Sequence, residues 1–388
     1  MSVETITLGC RLNFAESETI ARSAPQGEDW IIVNSCAVTN EAVRQTRQAI
    51  RRAHRLRPQA KILVTGCAAE LDRAGFETIP GVSLVTGNKK KLGSLSKDDV
   101  IPPVPSGFMG HVRSFVAVQT GCDHRCTFCS IWQSRGPSVS FAFEAIRDAI
   151  AREIDRGALE IVLTGVDITD YDGGLGKLCM KLLAAEPRLR RLRLSSLDSI
   201  EIDDSLFELI ASEDRLMPHF HLSLQAGDDL TLKRMKRRHS RTDAVRTVTR
   251  IKTLRPDATI GADLIAGFPT ETEEMALNSL KLIDDCDIIA AHIFPFSARP
   301  TTPASRMPQV SHNAVKARAA RLRRVAAARR ERWLDDLVGT IQPVLIENGG
   351  KGHTDNFAPV AISGADRGKT GFARIVNRDG DLLGAVWA

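Results

Sequence analysis

SFVAVQTGCDHRCTFC, residues 114–129, joins a short apolar run to three cysteines spaced C-x3-C-x2-C. The run predicts a buried strand, and Cys122, Cys126 and Cys129 follow at its C-terminal end. Downstream, EIVLTG (160–165), RLRLSS (191–196), HFHLSL (219–224), TIGADLIAG (259–267) and AAHIFPF (290–296) are further strand candidates, with helical stretches between them. Six β/α units in roughly 200 residues predict a barrel or partial barrel, whose active site lies at the strand C-termini. The three cysteines sit where such a site forms. Thiolates are soft ligands suited to iron–sulfur clusters or zinc. With no fourth cysteine nearby, one iron of a cubane stays open, whereas structural zinc is normally closed by four ligands. His124 lies inside the loop, so a zinc site is the competing reading.

Before this stretch the same alternation is visible. VETITLG (3–9), WIIVNS (30–35), KILVTG (61–66) and VSLVTG (82–87) predict strands of an open parallel α/β sheet over residues 1–100. Cys10, Cys36 and Cys67 each fall at the end of a different strand, where open α/β sheets place their ligands. A shared site is one reading; three separately buried cysteines is the other. Cys179 and Cys286 lie in apolar helical surroundings and read as core residues. KDDVIPPVPSGFMG (97–110) reads as a linker. After the core of 111–336, which ends in the basic helix 314–336, residues 337–388 change character. QPVLIE, APVAIS, TGFARIV and LLGAVW predict a small all-β unit.

The 388 residues carry a net charge of +6, and no apolar run approaches the ~18–20 residues needed to span a bilayer. The N-terminus, MSVETITLGCRLNF, lacks a signal-peptide pattern, so a cytoplasmic protein without membrane partners is expected. Three arginine-rich runs stand out: Arg44 to Arg57, Lys233 to Arg238, and Lys316 to Arg332. Each reads either as a solvated face or as part of a phosphate-binding footprint.

The Cys122–Cys129 loop resembles the signature of radical S-adenosylmethionine (SAM) enzymes. That resemblance implies a cluster whose open iron takes the amino and carboxylate groups of SAM, with cleavage to methionine and a 5′-deoxyadenosyl radical. Cys122, Cys126 and Cys129 would then be catalytic. LGCRLNFAESE (8–18), VNSCAVTNEAVRQTRQAIRR (33–52), VTGCAAE (64–70), HLSLQAGDD (221–229), GADLIAGFPTET (261–272) and HIFPFSARPTTPASRM (292–307) resemble the methylthiotransferases in order and spacing. The tail is similar to a small RNA-binding TRAM domain. VNSCAVTNEA and LGCRLN are most similar to the branch that modifies threonylcarbamoyladenosine at position 37 of tRNA.

The resemblance implies a radical SAM (β/α)6 partial barrel, two [4Fe-4S] clusters, the second on Cys10, Cys36 and Cys67, and SAM as cofactor. It also implies a tRNA anticodon stem-loop as substrate, with an external electron donor and a sulfur donor as partners. SAM contacts are implied for Gly165, Ser195, Gln225 and Arg135. SIWQSRGPSVS (130–140) departs from the family pattern: Arg135 and Gly136 remain, a proline and a second arginine do not, and Trp132 is added. Isopentenyladenosine-37 or a ribosomal-protein aspartate are the alternative substrates, and a zinc-stabilised RNA-binding protein without catalysis is the third reading.

Overall fold

The computed structural model describes residues 3–24, 27–93, 104–107 and 111–388. Its first unit is a parallel sheet in the order β1 (Val3–Thr7), β2 (Trp30–Ser35), β3 (Lys61–Gly66), β4 (Val82–Val85). Helices α1 (Arg11–Arg22), α2 (Asn40–Leu56), α3 (Cys67–Leu71) and α4 (Arg73–Glu77) connect the strands. β2 is buried along its whole length, which explains its unbroken apolar sequence. The Thr39 hydroxyl accepts from the N–H of Ala42 and starts α2, whose buried face is Thr46, Ile50 and Ala53.

The predicted linker 97–110 lies mostly outside the described residues, and its described part is not a plain linker. β5 (Ser106–Gly107) is an edge strand antiparallel to β6 (Arg113–Ala117). The strand expected over 114–120 breaks at Val118, and the ribbon of β7 (Gln119–Thr120) and β8 (Val139–Ser140) brackets the cysteine loop. That loop also holds α5 (Ile131–Arg135).

Parallel strands then continue around a partial barrel: β6, β9 (Glu160–Thr164), β10 (Leu192–Leu194), β11 (His219–Gln225), β12 (Thr259–Ala266) and β13 (Ile288–Pro295). Only isolated bridges, Leu192 with Leu216 and Leu197 with Leu222, join β10 to β11. No pairing joins β13 to β6 among the described residues. The outer helices are α6 (Phe143–Asp155), α7 (Leu175–Ala185), α8 (Asp204–Ser212), α9 (Asp229–Met235), α10 (Arg241–Leu254), α11 (Glu273–Asp285) and the long α12 (His312–Leu337). Cys179 and Cys286 are fully buried in this core, as expected.

The tail closes into a five-stranded barrel of β14 (Ile341–Asn348), β15 (Lys351–Thr354), β16 (Pro359–Ala361), β17 (Thr370–Asp379) and β18 (Leu382–Trp387). β15 was not expected, since KGHT shows no apolar alternation. Leu334 and Leu337 of α12 join the core of this unit.

Two joints hold the units together. At the N-terminal end of the partial barrel, Phe357 from the β15–β16 turn lies beneath Arg113 (5.2 Å) and Arg193 (4.9 Å). Its ring also stacks on His219 at 5.1 Å and on His353 at 4.5 Å. Thr259 donates to the carbonyl of Asn356 (2.7 Å), and Arg193 to that of Asp355 (2.9 Å). This seal holds Phe357 at φ 74°, an unfavourable conformation for an aromatic residue.

The second joint is ionic. Arg135 of α5 donates to both oxygens of Glu16 in α1, at 2.8 and 3.0 Å, and Lys91 donates to the same carboxylate. All three side chains are buried. Burial pushes the Glu16 carboxyl up, but Arg135 and Lys91 outweigh it and bring its pKa down to about 2.

Phe357→Ala should cost about 2 kcal/mol of docking, seen as faster hydrogen exchange across 219–225 and 351–354; unchanged exchange would show the ring adds nothing. Arg135→Leu leaves Glu16 paired with Lys91 alone and takes the donor away from Asn13 and Cys67, and should destabilise the chain by about 1–3 kcal/mol. The Glu16 contribution is complete above its ordinary value of 4.5 and fades as pH falls toward 2. Thermal melts of metal-free protein between pH 5 and 3 should therefore drop for the natural chain and flatten for Glu16→Gln.

Candidate functional site

The parallel register determines where the N-terminal cysteines go. Ser35 pairs with Gly66, so Cys36 and Cys67 leave their strands at the same level. Thr7 pairs with Asn34, and the turn Leu8–Gly9 delivers Cys10 as the N-cap of α1. Gly9 has φ +101°, and a Cβ there would lie 2.8 Å from both Cβ and Sγ of Cys36. Only glycine lets the Cys10 turn approach Cys36 this closely. Cys36 and Cys67 are buried, while Cys10 is exposed.

Asn13, which sequence reading passed over, organises these ends. Its amide donates to the carbonyls of Leu8 (2.9 Å) and Ser35 (3.0 Å), and its carbonyl faces Cys10 Sγ (3.7 Å) and Arg135 (2.6 Å). Asn13 is only 1% exposed, so its polar atoms must find partners inside the fold.

Arg135 does not serve the barrel cysteines. Its Nε donates to Cys67 Sγ at 3.3 Å, and its other nitrogens are spent on Glu16, Asn13 and Thr120. This places it against the N-terminal thiols. Arg299, inside the quoted SARP segment but not singled out, reaches back to the carbonyl of Ala37 and the side chain of Asn40.

In the barrel, the loop carrying Cys122, Cys126 and Cys129 is clamped from several sides. Thr127 donates to the carbonyls of Met235 (3.1 Å) and Arg234 (2.8 Å), and Ala304 donates to Thr127 (2.9 Å). The buried Gln119 donates to Gly121 (2.8 Å) and accepts from the amides of Val166 and Asp167 (3.0 Å each). Gly165 lies against it, where a Cβ would meet the Gln119 carbonyl at 2.9 Å. Ser195 is buried and bonded through its amide to Leu163 at the end of β10. Gln225 ends β11 with φ 66°. These three do occupy strand ends, as expected.

His124 is turned to Asp167 (3.0 Å) and Glu201 (3.5 Å), whose hydrogen bonds raise its pKa to about 10. Arg238 pairs with the same Glu201, and Arg237 with Asp198 at 2.9 Å. The expected phosphate-binding run 233–238 is thus partly an internal ion network. The basic helix is committed in part: Arg318 and Arg321 pair with Glu273, Arg329 with Asp287, Arg330 with Asp381 and Arg332 with Asp284, while Lys316, Arg323 and Arg324 are exposed with no carboxylate partner among the described residues. On α2, Arg51, Arg52 and Arg55 are likewise exposed, with no carboxylate partner among the described residues. Trp132, the departure from the family pattern, stacks under Arg125 at 4.6 Å.

Both cysteine sets fit iron–sulfur groups. Burial pushes the thiols of Cys36 and Cys129 up to about 11 and that of Cys122 up to about 12, so ligation must expel their protons. Donors wait beside the sulfurs: Val38 N–H on Cys36 (3.4 Å), Ile131 N–H on Cys129 (3.4 Å) and Arg237 on Cys126 (3.8 Å). The Nε atoms of Arg237 and Arg299 are buried without a partner, and Arg299 feels the charge of Cys36. Zinc fits less well. Thiolates on one tetrahedral zinc lie about 3.8 Å apart. Cys122, His124 and Asp167 do gather within 4.8 Å, but no other cysteine belongs to such a group among the described residues. The two sets are neighbours, since Cys129 feels the charge of Cys67.

The radical SAM superfamily profile matches residues 116–283, and that of uncharacterized protein family UPF0004 matches residues 2–87. The chain is 43% identical over 382 residues to threonylcarbamoyladenosine tRNA methylthiotransferase MtaB of Rickettsia prowazekii (strain Madrid E), covering 92% of this chain and 91% of that one. It is 34% identical to the MtaB of Thermotoga maritima, over 79% and 77% of the two chains. It is 30% identical to a tRNA-2-methylthio-N(6)-dimethylallyladenosine synthase of Erythrobacter litoralis, over 89% and 86%. A solved structure of the radical SAM methyltransferase TsrM from Kitasatospora setae shares the fold, with TM-score 0.56 at 14% identity, over 79% and 77% of the chains. With nine-tenths of its length aligned at this identity, the chain belongs to the threonylcarbamoyladenosine tRNA methylthiotransferases, within the radical SAM superfamily.

Proposed function

We propose that this chain adds a methylthio group to C2 of N6-threonylcarbamoyladenosine at position 37 of tRNA, working in the cytoplasm on the anticodon stem-loop. The observation that carries this reading is the pairing of two three-cysteine strand ends, joined through Arg135, in a chain 43% identical to an MtaB. No helix among the described residues is long and apolar enough to cross a membrane.

Cys122, Cys126 and Cys129 would hold one [4Fe-4S] cluster and Cys10, Cys36 and Cys67 a second, supplying respectively the electron that splits SAM and the site of the sulfur to be transferred. An external electron donor and a sulfur donor belong to this scheme. The protein's part is to hold and orient. Arg237 faces Cys126 while anchored on Asp198, and Arg135 and Arg299 bring positive charge to the N-terminal thiols. Such donors stabilise a reduced, more negative cluster. The His124 ring, kept cationic by Asp167 and Glu201, anchors the cysteine loop to the ends of β9 and β10. Gly165, Ser195 and Gln225 line the strand ends where SAM would lie. Arg51, Arg52 and Arg55 are cations that folding leaves unspent, which suits an RNA backbone.

Anaerobically reconstituted protein should contain about eight irons per chain. Cys126→Ala should remove about half of them and abolish SAM cleavage. Cys36→Ala should also remove about half, keep SAM cleavage and lose the methylthio product. Product from Cys36→Ala, or SAM cleavage by Cys126→Ala, would overturn the assignment. In a strain lacking the gene, 2-methylthio-threonylcarbamoyladenosine should disappear from digested tRNA.

A further inference from the structure

We infer that Arg11 receives a carboxylate inside the barrel, and that this group is the threonyl carboxylate of the substrate nucleoside, making Arg11 a specificity-determining residue. The inference rests on the function proposed above and goes beyond it by naming the side chain that reads the threonyl group.

Arg11 opens α1 directly after Cys10, beside the N-terminal thiols. The strand it approaches has a known inner face. Ser114 donates outward to Glu153 of α6 (3.0 Å), so Arg113 and Phe115 point into the barrel. Phe14 meets Phe115 edge-on at 5.3 Å, which turns this face of α1 toward the lumen. Arg11 lies one helical turn before Phe14, on the same face.

Four barrel strands contribute charges that Arg11 feels: Arg113, Glu160, Arg193 and Asp263. The others are already matched. Arg193 pairs with Glu160 at 2.7 Å and Arg113 with Glu347 at 3.0 Å. Asp263 is shared by His221 (3.0 Å) and His292 (3.1 Å). Arg11 is exposed and has no hydrogen bond or ion pair among the described residues. An anion placed there would offset the mutual repulsion of Arg11 with Arg113 and Arg193.

The chemistry of the nucleoside supplies one. Threonylcarbamoyladenosine carries a free carboxylate on its N6 substituent, whereas the dimethylallyl group is uncharged. A guanidinium takes a carboxylate in two parallel hydrogen bonds, and such a pair discriminates strongly against a neutral substituent. SAM also carries a carboxylate, so the test must tell the two apart.

Anticodon stem-loop RNAs bearing threonylcarbamoyladenosine, dimethylallyladenosine or plain adenosine at position 37 are titrated into reconstituted full-length protein and followed by fluorescence anisotropy. The natural chain should prefer the first RNA by about tenfold or more. Arg11→Gln should lose that preference while its affinity for the adenosine RNA and for SAM, measured by equilibrium dialysis, stays unchanged. Arg11→Lys, which keeps the charge without the fork, should fall between. If Arg11→Gln loses iron, the comparison of Arg11→Lys with the natural chain decides, and an undiminished preference there overturns the inference. Preference retained in Arg11→Gln, or SAM affinity lost instead, overturns the role of Arg11 alone. A natural chain that binds all three RNAs equally overturns the substrate reading as well.

Discussion

Arg135 is almost fully buried, and a buried guanidinium is tolerable only when its donors are matched by acceptors and its charge by a carboxylate. Here the acceptors come from different places: Glu16 and Asn13 from the first helix, Thr120 from the barrel, and the sulfur of Cys67 from the end of β3. Lys91 shares Glu16 and so brings in the end of the N-terminal unit. No small displacement of one sheet against the other keeps all these bonds. The network therefore acts as a register pin, and the two cysteine sets face each other because it holds. Glu16 carries two cations, so its loss would leave an uncompensated positive pair rather than a simple gap.

A barrel with an unpaired edge and charged inner residues must also manage water. The seal at the N-terminal end, Phe357 between Arg113, Arg193, His219 and His353, closes the side opposite the cysteine loop. α1 packs along β6 through Phe14 and Phe115. Access to the lumen is thereby biased toward the strand C-termini, where both thiol sets lie. Phe357 holds an unfavourable φ because four rings and cations gain from its position together.

The sheets were legible because parallel strands buried on both faces are written as continuous apolar runs. WIIVNS and KILVTG coincide with β2 and β3 to the residue. The cysteines were legible because loop spacing and strand ends are local features. What escaped was non-local. Asn13 and Arg299 act on partners that no window of sequence contains, the latter 262 residues from Ala37. The arginine runs were legible only in part for the same reason: Arg318 finds Glu271 across 47 residues and Arg237 finds Asp198 across 39, so some cations that look free along the chain are spent in three dimensions. β15 was missed because its burial alternates on Gly352 and Thr354, too small and polar to register as a pattern.

This division of the arginines has a consequence for binding. A cation already paired in the fold contributes little to counterion release, since its field is cancelled at short range. The effective RNA footprint is therefore much smaller than the count of 53 lysines and arginines suggests. On α2, Arg44 and Arg47 are paired with Glu41 and Asp72, which leaves Arg51, Arg52 and Arg55 as the unspent group on that helix. They are carried by the helix that links β2 to β3, and so by the element between Cys36 and Cys67. They sit in the last turns of α2, next to Arg57, which bonds Glu4 and Asp29 at the N-terminal ends of β1 and β2, so this group lies at the sheet edge opposite the N-terminal thiols and would meet RNA away from the reacting base.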